Sequence, residues 1–414
     1  MWSELGSFAP HTKATFESIG RAKIHPVLER IPRWLMDVNF DQSSSNWGEF
    51  LNEKTSYGIS NRERLLRYLI TRSVVDQGSD IAGVEEWHEG TFSRCYEMGI
   101  PLLDDLSLVV TRYSEILQIA DDFRLQTIEH RAHTWANLAE NRKEAAYWPF
   151  TVDGQRGKGN THWFLTARVF PTLFLAQAVD GGLTEFVFGN SEFESPREMA
   201  RRLRNDPEHK LGLSWVMGDK ACDLFAKWSI GSYRLASGIV CSWTPQDCPI
   251  PMDQRIGRLM IRTGFMDEFY GVAAEMNIAS HGWSPRGNQM RPSGRDEEIT
   301  DGDWHLTVMD FRRQARVKGN RPEALSWIRE SMQLLGRKFE ASKTSPQDIV
   351  SLLCRVYSEE FGHVLTPVEV DDYFMEVGGG PCQDRSMACS ECGLENSCQA
   401  NNDVKMSRLK NCFT

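Results

Sequence analysis

Apolar residues recur at helical spacing along most of this chain. The pattern is clearest in NRERLLRYLITRSVV at 61–75, where Asn61 stands as a candidate helix cap. The segment 217–236 predicts one long helix entered through a glycine turn. Further helices are predicted by the same spacing at 102–122, 252–261, 323–341 and 346–362.

Segments with the alternation typical of a β-strand are few. FVFG at 186–189 and WHLTVMDF at 304–311 are the best candidates, and both are short. The segment 280–303 is rich in Gly, Pro and charge, which is typical of a loop. The chain is therefore predicted to be mainly α.

The composition is that of an ordinary globular protein, with 41% hydrophobic and 25% charged residues among 414. That length is enough for two or three domains. No apolar run approaches the roughly 18 to 20 residues that span a bilayer, and the first residues lack the features of a signal peptide. We expect a cytoplasmic protein that does not contact membranes.

The formal net charge of −10 is the wrong sign for a protein that coats nucleic acid with its whole surface. A nucleic-acid enzyme then needs its cations gathered on one face. One candidate run comprises Arg197, Arg201, Arg202 and Arg204. A solvated helix face explains that run equally well.

Four of the ten cysteines form a compact motif, Cys-x6-Cys-x2-Cys-x5-Cys, at Cys382, Cys389, Cys392 and Cys398. Thiolates are soft ligands that select zinc or iron–sulfur clusters. A zinc ribbon usually pairs two CxxC knuckles across a longer spacer, whereas only one CxxC occurs here. An iron–sulfur cluster, a zinc ion and unliganded thiols all remain open, in that order of preference.

This cysteine spacing resembles that of endonuclease III and MutY, members of the helix-hairpin-helix DNA glycosylase superfamily. The resemblance implies two helical subdomains and a C-terminal loop in which the four cysteines ligate one [4Fe–4S] cluster. In such a cluster every iron has a protein ligand. The implied role is therefore structural, without an open iron site for substrate.

A second resemblance lies in CPIPMDQRIGR, residues 248–258. Endonuclease III relatives begin a helix with an aspartate in a V-D-x-H-V-x-R pattern, and Asp253 falls on that catalytic aspartate. Arg255 stands where the family has histidine. By itself, an aspartate behind a proline is more typical of a helix cap than of a catalyst.

The hairpin of the family is matched best by Val216-Met217-Gly218-Asp219-Lys220. Together with Phe225-Ala226 and the Pro-Ile-Pro-Met-Asp segment, it is similar to the archaeal 8-oxoguanine DNA glycosylases. The resemblance implies that Lys220 is the catalytic amine and that Met217, Gly218 and Asp219 contact DNA or the base. Tyr233 is the alternative occupant of the lysine position.

The chemistry of base excision explains why such a pair is needed. Breaking an N-glycosidic bond develops positive charge on the sugar, which a carboxylate at Asp253 stabilises. A neutral Lys220 amine attacks the sugar C1′ carbon, forms a Schiff base and leads to strand cleavage by β-elimination. If Tyr233 takes the place of the lysine, Asp253 activates water and the enzyme only removes bases.

The segment 65–80 resembles the stretch that these glycosylases place beside the flipped base. Gln77 is the predicted residue that fills the gap in the duplex or touches the base, although a polar helix end explains it equally well. The expected partner is double-stranded DNA with one nucleotide flipped out, bound by a monomer associated with the nucleoid. Two hypothetical substrates are 8-oxoguanine and a bulky modified base of the kind found in phage genomes.

The stretch from Asp253 to Cys382 is much longer than in endonuclease III, so the resemblance implies an inserted element at about 280–330. The predicted organisation has four parts, at 1–59 (an N-terminal arm packing with the C-terminal subdomain), 60–265 (the glycosylase core with hairpin and aspartate), 266–375 (a helical subdomain with the insertion) and 376–414 (the cluster loop and tail). Two other classes of function stay open. One is a DNA-binding protein that keeps the cluster as a staple without catalysis. The other is an N-glycosidase acting on a free modified nucleotide.

Overall fold

A computed structural model gives the fold of most of the chain. The residues it describes are 1–22, 31–32, 34–35, 45–76, 81–123, 164–189, 193, 195–204, 213–271, 315–316, 318–382 and 389–399. The predicted strand at 304–311, Gln77 and most of the predicted insertion lie outside this part of the chain.

The described residues are mainly helical and contain no β-strand, which confirms the predicted mainly α class. The α-helices with defined ends are α1 (Trp2–Phe8), α2 (Pro10–Arg21), α3 (Trp47–Asn52), α4 (Asn61–Val75), α5 (Ile81–Glu97), α6 (Ser107–Thr111), α7 (Phe170–Ala178), α8 (Pro196–Arg204), α9 (Asp219–Ala226), α10 (Gln254–Arg262), α11 (Phe265–Tyr270), α12 (Pro322–Leu334), α13 (Pro346–Phe361) and α14 (Pro367–Gly379). Residues 113–123 are also helical.

Several short helical turns connect these elements. Three are π-helical, at Leu165–Val169, Glu185–Gly189 and Lys227–Ser232. Short turns of other types occur at Gly182–Thr184, Leu213–Trp215, Pro245–Asp247, Ala341–Lys343 and Cys389–Glu391.

The predicted strand at 186–189 is wrong. These residues belong to the π-helical turn Glu185–Gly189, which continues directly from Gly182–Thr184. Leu183 and Val187 are both buried and stand four residues apart, so they share one side of a helix. A run of four apolar residues fits a helical turn as well as a strand, and among the described residues there is no neighbouring strand to pair with it.

The helix predicted at 61–75 is present with those bounds as α4, but its cap is one residue earlier than expected. The Ser60 hydroxyl accepts the Glu63 N–H at 3.1 Å, which makes Ser60 the N-cap. Asn61 instead donates through its side-chain amide to the Phe50 carbonyl at 3.0 Å. The long helix predicted at 217–236 is α9 followed by the π-helical turn Lys227–Ser232.

The described chain divides into two compact units. The central unit comprises residues 28–243, and the terminal unit comprises residues 1–27 and 244–414. Each has its own hydrophobic core. Residues 244–265, which the predicted glycosylase core included, belong to the terminal unit together with the cysteine motif.

Helix α4 runs through the core of the central unit. It packs against α3, α5, α7 and α9, so little of its surface is left to solvent. Three of its charged side chains, Arg62, Glu63 and Arg67, are buried there. The Glu63 carboxylate accepts the Thr184 N–H at 2.7 Å and the Arg67 guanidinium at 2.9 Å.

In the terminal unit, residues 1–27 are joined to the rest by a buried carboxylate at the start of α2. Glu268 accepts the backbone N–H groups of His11 and Thr12, each at 2.8 Å, and the Thr12 hydroxyl at 2.6 Å. Burial raises the Glu268 pKa, and this effect outweighs the hydrogen bonds from Thr12 and His11, which lower it.

None of the described helices combines the length and apolarity that a membrane crossing requires.

His88 is a fully buried imidazole in the central unit. It lies beside the rings of Tyr68 and Phe92, and its Nε2 is 3.1 Å from the Thr71 hydroxyl. Its Nδ1 meets no hydrogen-bonding group among the described residues. Burial, with a smaller contribution from the Arg72 cation, lowers the His88 pKa from 6.5 to about 3.

This histidine predicts acid sensitivity. Because the folded state favours the neutral imidazole, its stabilisation is complete above pH 6.5 and is lost as the pH falls toward about 3. The loss is about 1.4 kcal/mol for each pH unit below the unfolded pKa. Urea unfolding over this range should show a weaker pH dependence for His88→Gln than for wild type, whereas exposed His363→Gln should follow wild type. Parallel curves for His88→Gln and wild type would contradict the assignment.

Candidate functional site

The predicted hairpin segment lies in the central unit, where α8 packs against α9. Gly218 immediately precedes α9 and is exposed. Its φ of −83° and ψ of 177° are open to any residue, and an added Cβ would have no neighbour within 4 Å among the described residues. The fold itself therefore does not require glycine here, and no side chain covers the exposed backbone at the start of α9.

The residues around Gly218 differ in exposure. Met217 is buried in the core, whereas Asp219 is exposed and its carboxylate pairs with Arg204 of α8. Arg201 and Arg202 of α8 are exposed as well. The hairpin therefore presents cations and bare backbone to solvent.

Lys220 is the second residue of α9 and occupies a partly open position. Its side chain is 28% exposed, and Nζ lies 3.3 Å from Oδ2 of Asp76. Asp76 follows the last residue of α4, and its side chain is only 4% exposed. Its second oxygen, Oδ1, is buried without a hydrogen-bond partner in the part of the chain that the structure describes.

Asp76 was not predicted as a site residue. It precedes the predicted base-contacting residue Gln77, but a polar residue at a helix end carries no distinctive pattern. The pair with Lys220 joins residues 144 positions apart. Only the packing of α4 against α9 brings the two groups together.

Tyr233, the alternative to Lys220, lies in the core of the central unit with none of its surface exposed. Its hydroxyl is 3.3 Å from Nη1 of Arg72. The same guanidinium pairs with Glu85 at 2.6 Å and lies 4.5 Å from the centroid of the Trp228 ring. This cluster fixes the end of α4 next to Asp76.

Asp253 lies in the terminal unit as the N-cap of α10. Its Oδ1 accepts the Ile256 N–H at 2.9 Å, and the side chain is half-buried. The residues just before it are buried, and Ile250 accepts a hydrogen bond from Gln347 of α13 at 3.2 Å. The capping role is therefore real, and it occupies one of the two carboxylate oxygens.

The other end of α10 contacts the cysteine motif. Arg262, the last residue of the helix, is buried, and its Nη1 lies 2.9 Å from the sulfur of Cys382. The thiol of Cys398 lies 3.2 Å from the Arg262 carbonyl oxygen. One helix of nine residues thus carries Asp253 at its start and contacts two of the four cysteines at its end.

A second arginine on α10 is buried as well. Burial, together with the neighbouring Arg262 cation, lowers the Arg258 pKa to about 10, while the charges of Cys382 and Asp253 act in the opposite direction. Buried cations beside a thiol-rich loop would offset the negative charge of thiolate ligands.

Of the four motif cysteines, Cys382 and Cys389 lie near Cys392, whereas Cys398 contacts the end of α10. Burial raises the Cys392 pKa, and the nearby Cys382 and Cys389 raise it further. No set of three His, Cys, Asp or Glu side chains in the described residues is placed to hold one ion. The four soft sulfurs and the adjacent buried cations nevertheless suit the chemistry of a thiolate-ligated cluster.

The candidate site residues thus fall into two sets. Lys220, Gly218 and Asp76 are in the central unit, while Asp253 and the cysteines are in the terminal unit. Comparison of the chain with protein-family models, curated proteins and solved structures finds no match.

Proposed function

We propose that this protein is a DNA N-glycosylase that excises a modified base and uses Lys220 to cleave the resulting abasic site. The observation that carries the proposal is the placement of Lys220. The partly exposed Lys220 side chain stands on the first turn of a helix that begins directly after the exposed Gly218, and its amine lies beside a buried carboxylate.

The hairpin supports a DNA contact. Backbone N–H groups at a helix start bind phosphate oxygens, and glycine lets a phosphate approach the backbone closely. The exposed Arg201 and Arg202 of α8 add positive charge to the same hairpin. A local basic surface of this kind lets a chain with a net charge of −10 bind DNA.

Asp253 supplies the second chemical group of the proposal. With one carboxylate oxygen capping α10, the other stays available to stabilise the positive charge that develops on the sugar as the glycosidic bond breaks. Lys220 attacks C1′ with its neutral amine and holds the sugar as a Schiff base before β-elimination.

Cys382, Cys389, Cys392 and Cys398 are the proposed ligands of a [4Fe–4S] cluster. When bound, such a cluster supplies a structural cross-link between the loop and its surroundings. Arg262 contacts that loop, and Asp253 begins the same helix. We therefore expect the loop to hold α10, and so Asp253, in place.

The test is a screen of the full chain on duplex oligonucleotides that each carry one modified base. We expect release of one class of free base, and a covalent complex when borohydride is added to abasic DNA. Base release from a free nucleotide that duplex DNA does not inhibit would favour the nucleotide N-glycosidase. DNA binding without release of any base would favour a non-catalytic binding protein.

The cluster is tested by measuring iron, acid-labile sulfide and zinc in protein purified without oxygen. The proposal predicts iron and sulfide in equal amounts, lost when Cys392 is replaced by Ala. Zinc as the only metal, or no metal at all, would reject it. Cys241→Ala serves as the matched control, because Cys241 lies in the central unit outside the motif.

A further inference from the structure

The two oxygens of the Asp76 carboxylate, which lies beside Lys220, have different surroundings. Oδ2 of Asp76 binds the amine of Lys220, whereas Oδ1 is buried and finds no donor among the residues that the structure describes. The Asp76 side chain is almost wholly buried, while the Lys220 side chain is partly exposed. Within the pair, the lysine is therefore the partly exposed member and the aspartate is the buried member.

A buried carboxylate is stabilised as an anion mainly by hydrogen bonds and nearby cations. Because Oδ1 of Asp76 makes no hydrogen bond among the described residues, it is a position that can take a proton. Excluding water from the Lys220 amine disfavours the charged pair, because losing hydration costs an ammonium and a carboxylate more than it costs a neutral amine and a carboxylic acid. A nucleic acid that covers Lys220 would therefore favour proton transfer within the pair.

We propose that Asp76 is the proton acceptor of Lys220, which makes it a further catalytic residue of the site. The proposal rests on the proposed function, since it assumes that Lys220 attacks the sugar. One proton passes from the Lys220 ammonium to the Asp76 carboxylate, leaving a neutral amine and a carboxylic acid. The amine nitrogen bonds to C1′ as the bond from C1′ to the base breaks.

The remaining steps balance within the site. The departing base keeps the electron pair of the broken bond and takes a proton from the new secondary ammonium, and the Asp76 acid returns its proton to that nitrogen, which restores the carboxylate. The new secondary ammonium then transfers a proton to the ring oxygen as the ring opens, and this gives the protonated Schiff base. On an abasic site the leaving group is the C1′ hydroxyl, which departs as water after taking the same proton.

Neighbouring charges are engaged elsewhere. The carboxylate of Asp219, one residue before Lys220, is exposed and pairs with Arg204. Arg72, one turn before Asp76 on α4, pairs with Glu85. Asp76 lies within hydrogen-bonding distance of the Lys220 amine.

The experiment measures the rate of borohydride trapping on abasic duplex DNA in single turnovers, from about pH 5 to about pH 10. Wild type should be nearly flat through neutral pH, because the proton acceptor is built in. Asp76→Asn should be slower at neutral pH by about 100-fold. Its rate should rise about tenfold per pH unit toward the ordinary lysine pKa near 10.4, since it depends on amine already neutral in solution.

Two controls separate proton transfer from folding. Asp76→Glu keeps a carboxylate and should keep the flat profile. Asp104→Asn removes another buried carboxylate of the central unit, the partner of Arg64, and should lose stability while keeping the flat profile.

The proposal is overturned if Asp76→Asn traps at the wild-type rate, or is slowed by the same factor at every pH, as a purely structural role would predict. Should that variant fail to fold, wild type alone decides, because a rate rising tenfold per pH unit through neutrality rejects an internal acceptor. If wild type never traps, the lyase function of Lys220 fails first. If it traps with the wrong profile, only the role of Asp76 fails.

Discussion

Replacing Asp253 by Asn should slow base release by about 100-fold to 1,000-fold while leaving the protein folded. The variant removes the negative charge that the proposed mechanism places against the sugar cation. It keeps an oxygen that accepts the Ile256 N–H, and Asn is as good an N-cap as Asp. The measurement is single-turnover base release beside urea unfolding of the same preparations.

This design separates catalysis from capping, which are the two roles open to Asp253. The matched control is Ser345→Ala, which removes the cap of α13 in the same unit. It should cost about 1 kcal/mol of stability and leave base release intact. Equal activity of Asp253→Asn and wild type would mean that the carboxylate is only a helix cap, and the enzymatic proposal would lose its electrostatic residue.

The fold was predictable where periodicity was long. Helix α4 shows apolar positions over four turns, and its bounds match the pattern at 61–75. The segment 186–189 offered only four residues, too few to separate a helical turn from a strand. A cap depends on local backbone angles as well as residue type, which is why Ser60 and not its neighbour Asn61 begins the helix.

The site was predictable only where residues are close in sequence. The position of Lys220 on the first turn of a helix and of Asp253 at a helix start follow from local signals, and both are observed. The contacts of Asp76 with Lys220 and of Arg262 with Cys382 each join residues more than 100 positions apart. Asp76 is a polar residue at a helix end and Arg262 is an arginine on an amphipathic helix. From a single sequence, neither pattern indicates which distant residue it contacts.

Replacing Lys220 should abolish the covalent complex with abasic DNA, which is the largest effect expected of any change here. A Schiff base needs a primary amine, and neither Gln nor Arg supplies one. Lys220→Arg is the sharper variant because its cation can still pair with Asp76 and still attract phosphate. Borohydride trapping and DNA binding are measured on Lys220→Gln and Lys220→Arg. Lys227→Arg, also in the central unit, serves as a control for lysine replacement in general.

The base-release rate of Lys220→Arg then decides how the glycosidic bond is broken. If the lysine is the nucleophile, release and trapping are lost together. If release continues near the wild-type rate without trapping, water is the nucleophile, and Lys220 acts only on the abasic product. If Lys220→Arg still traps, another amine forms the Schiff base, and the assignment of Lys220 is wrong. The last result would also remove the proposed role of Asp76, because that carboxylate is tied to the chemistry only through Lys220.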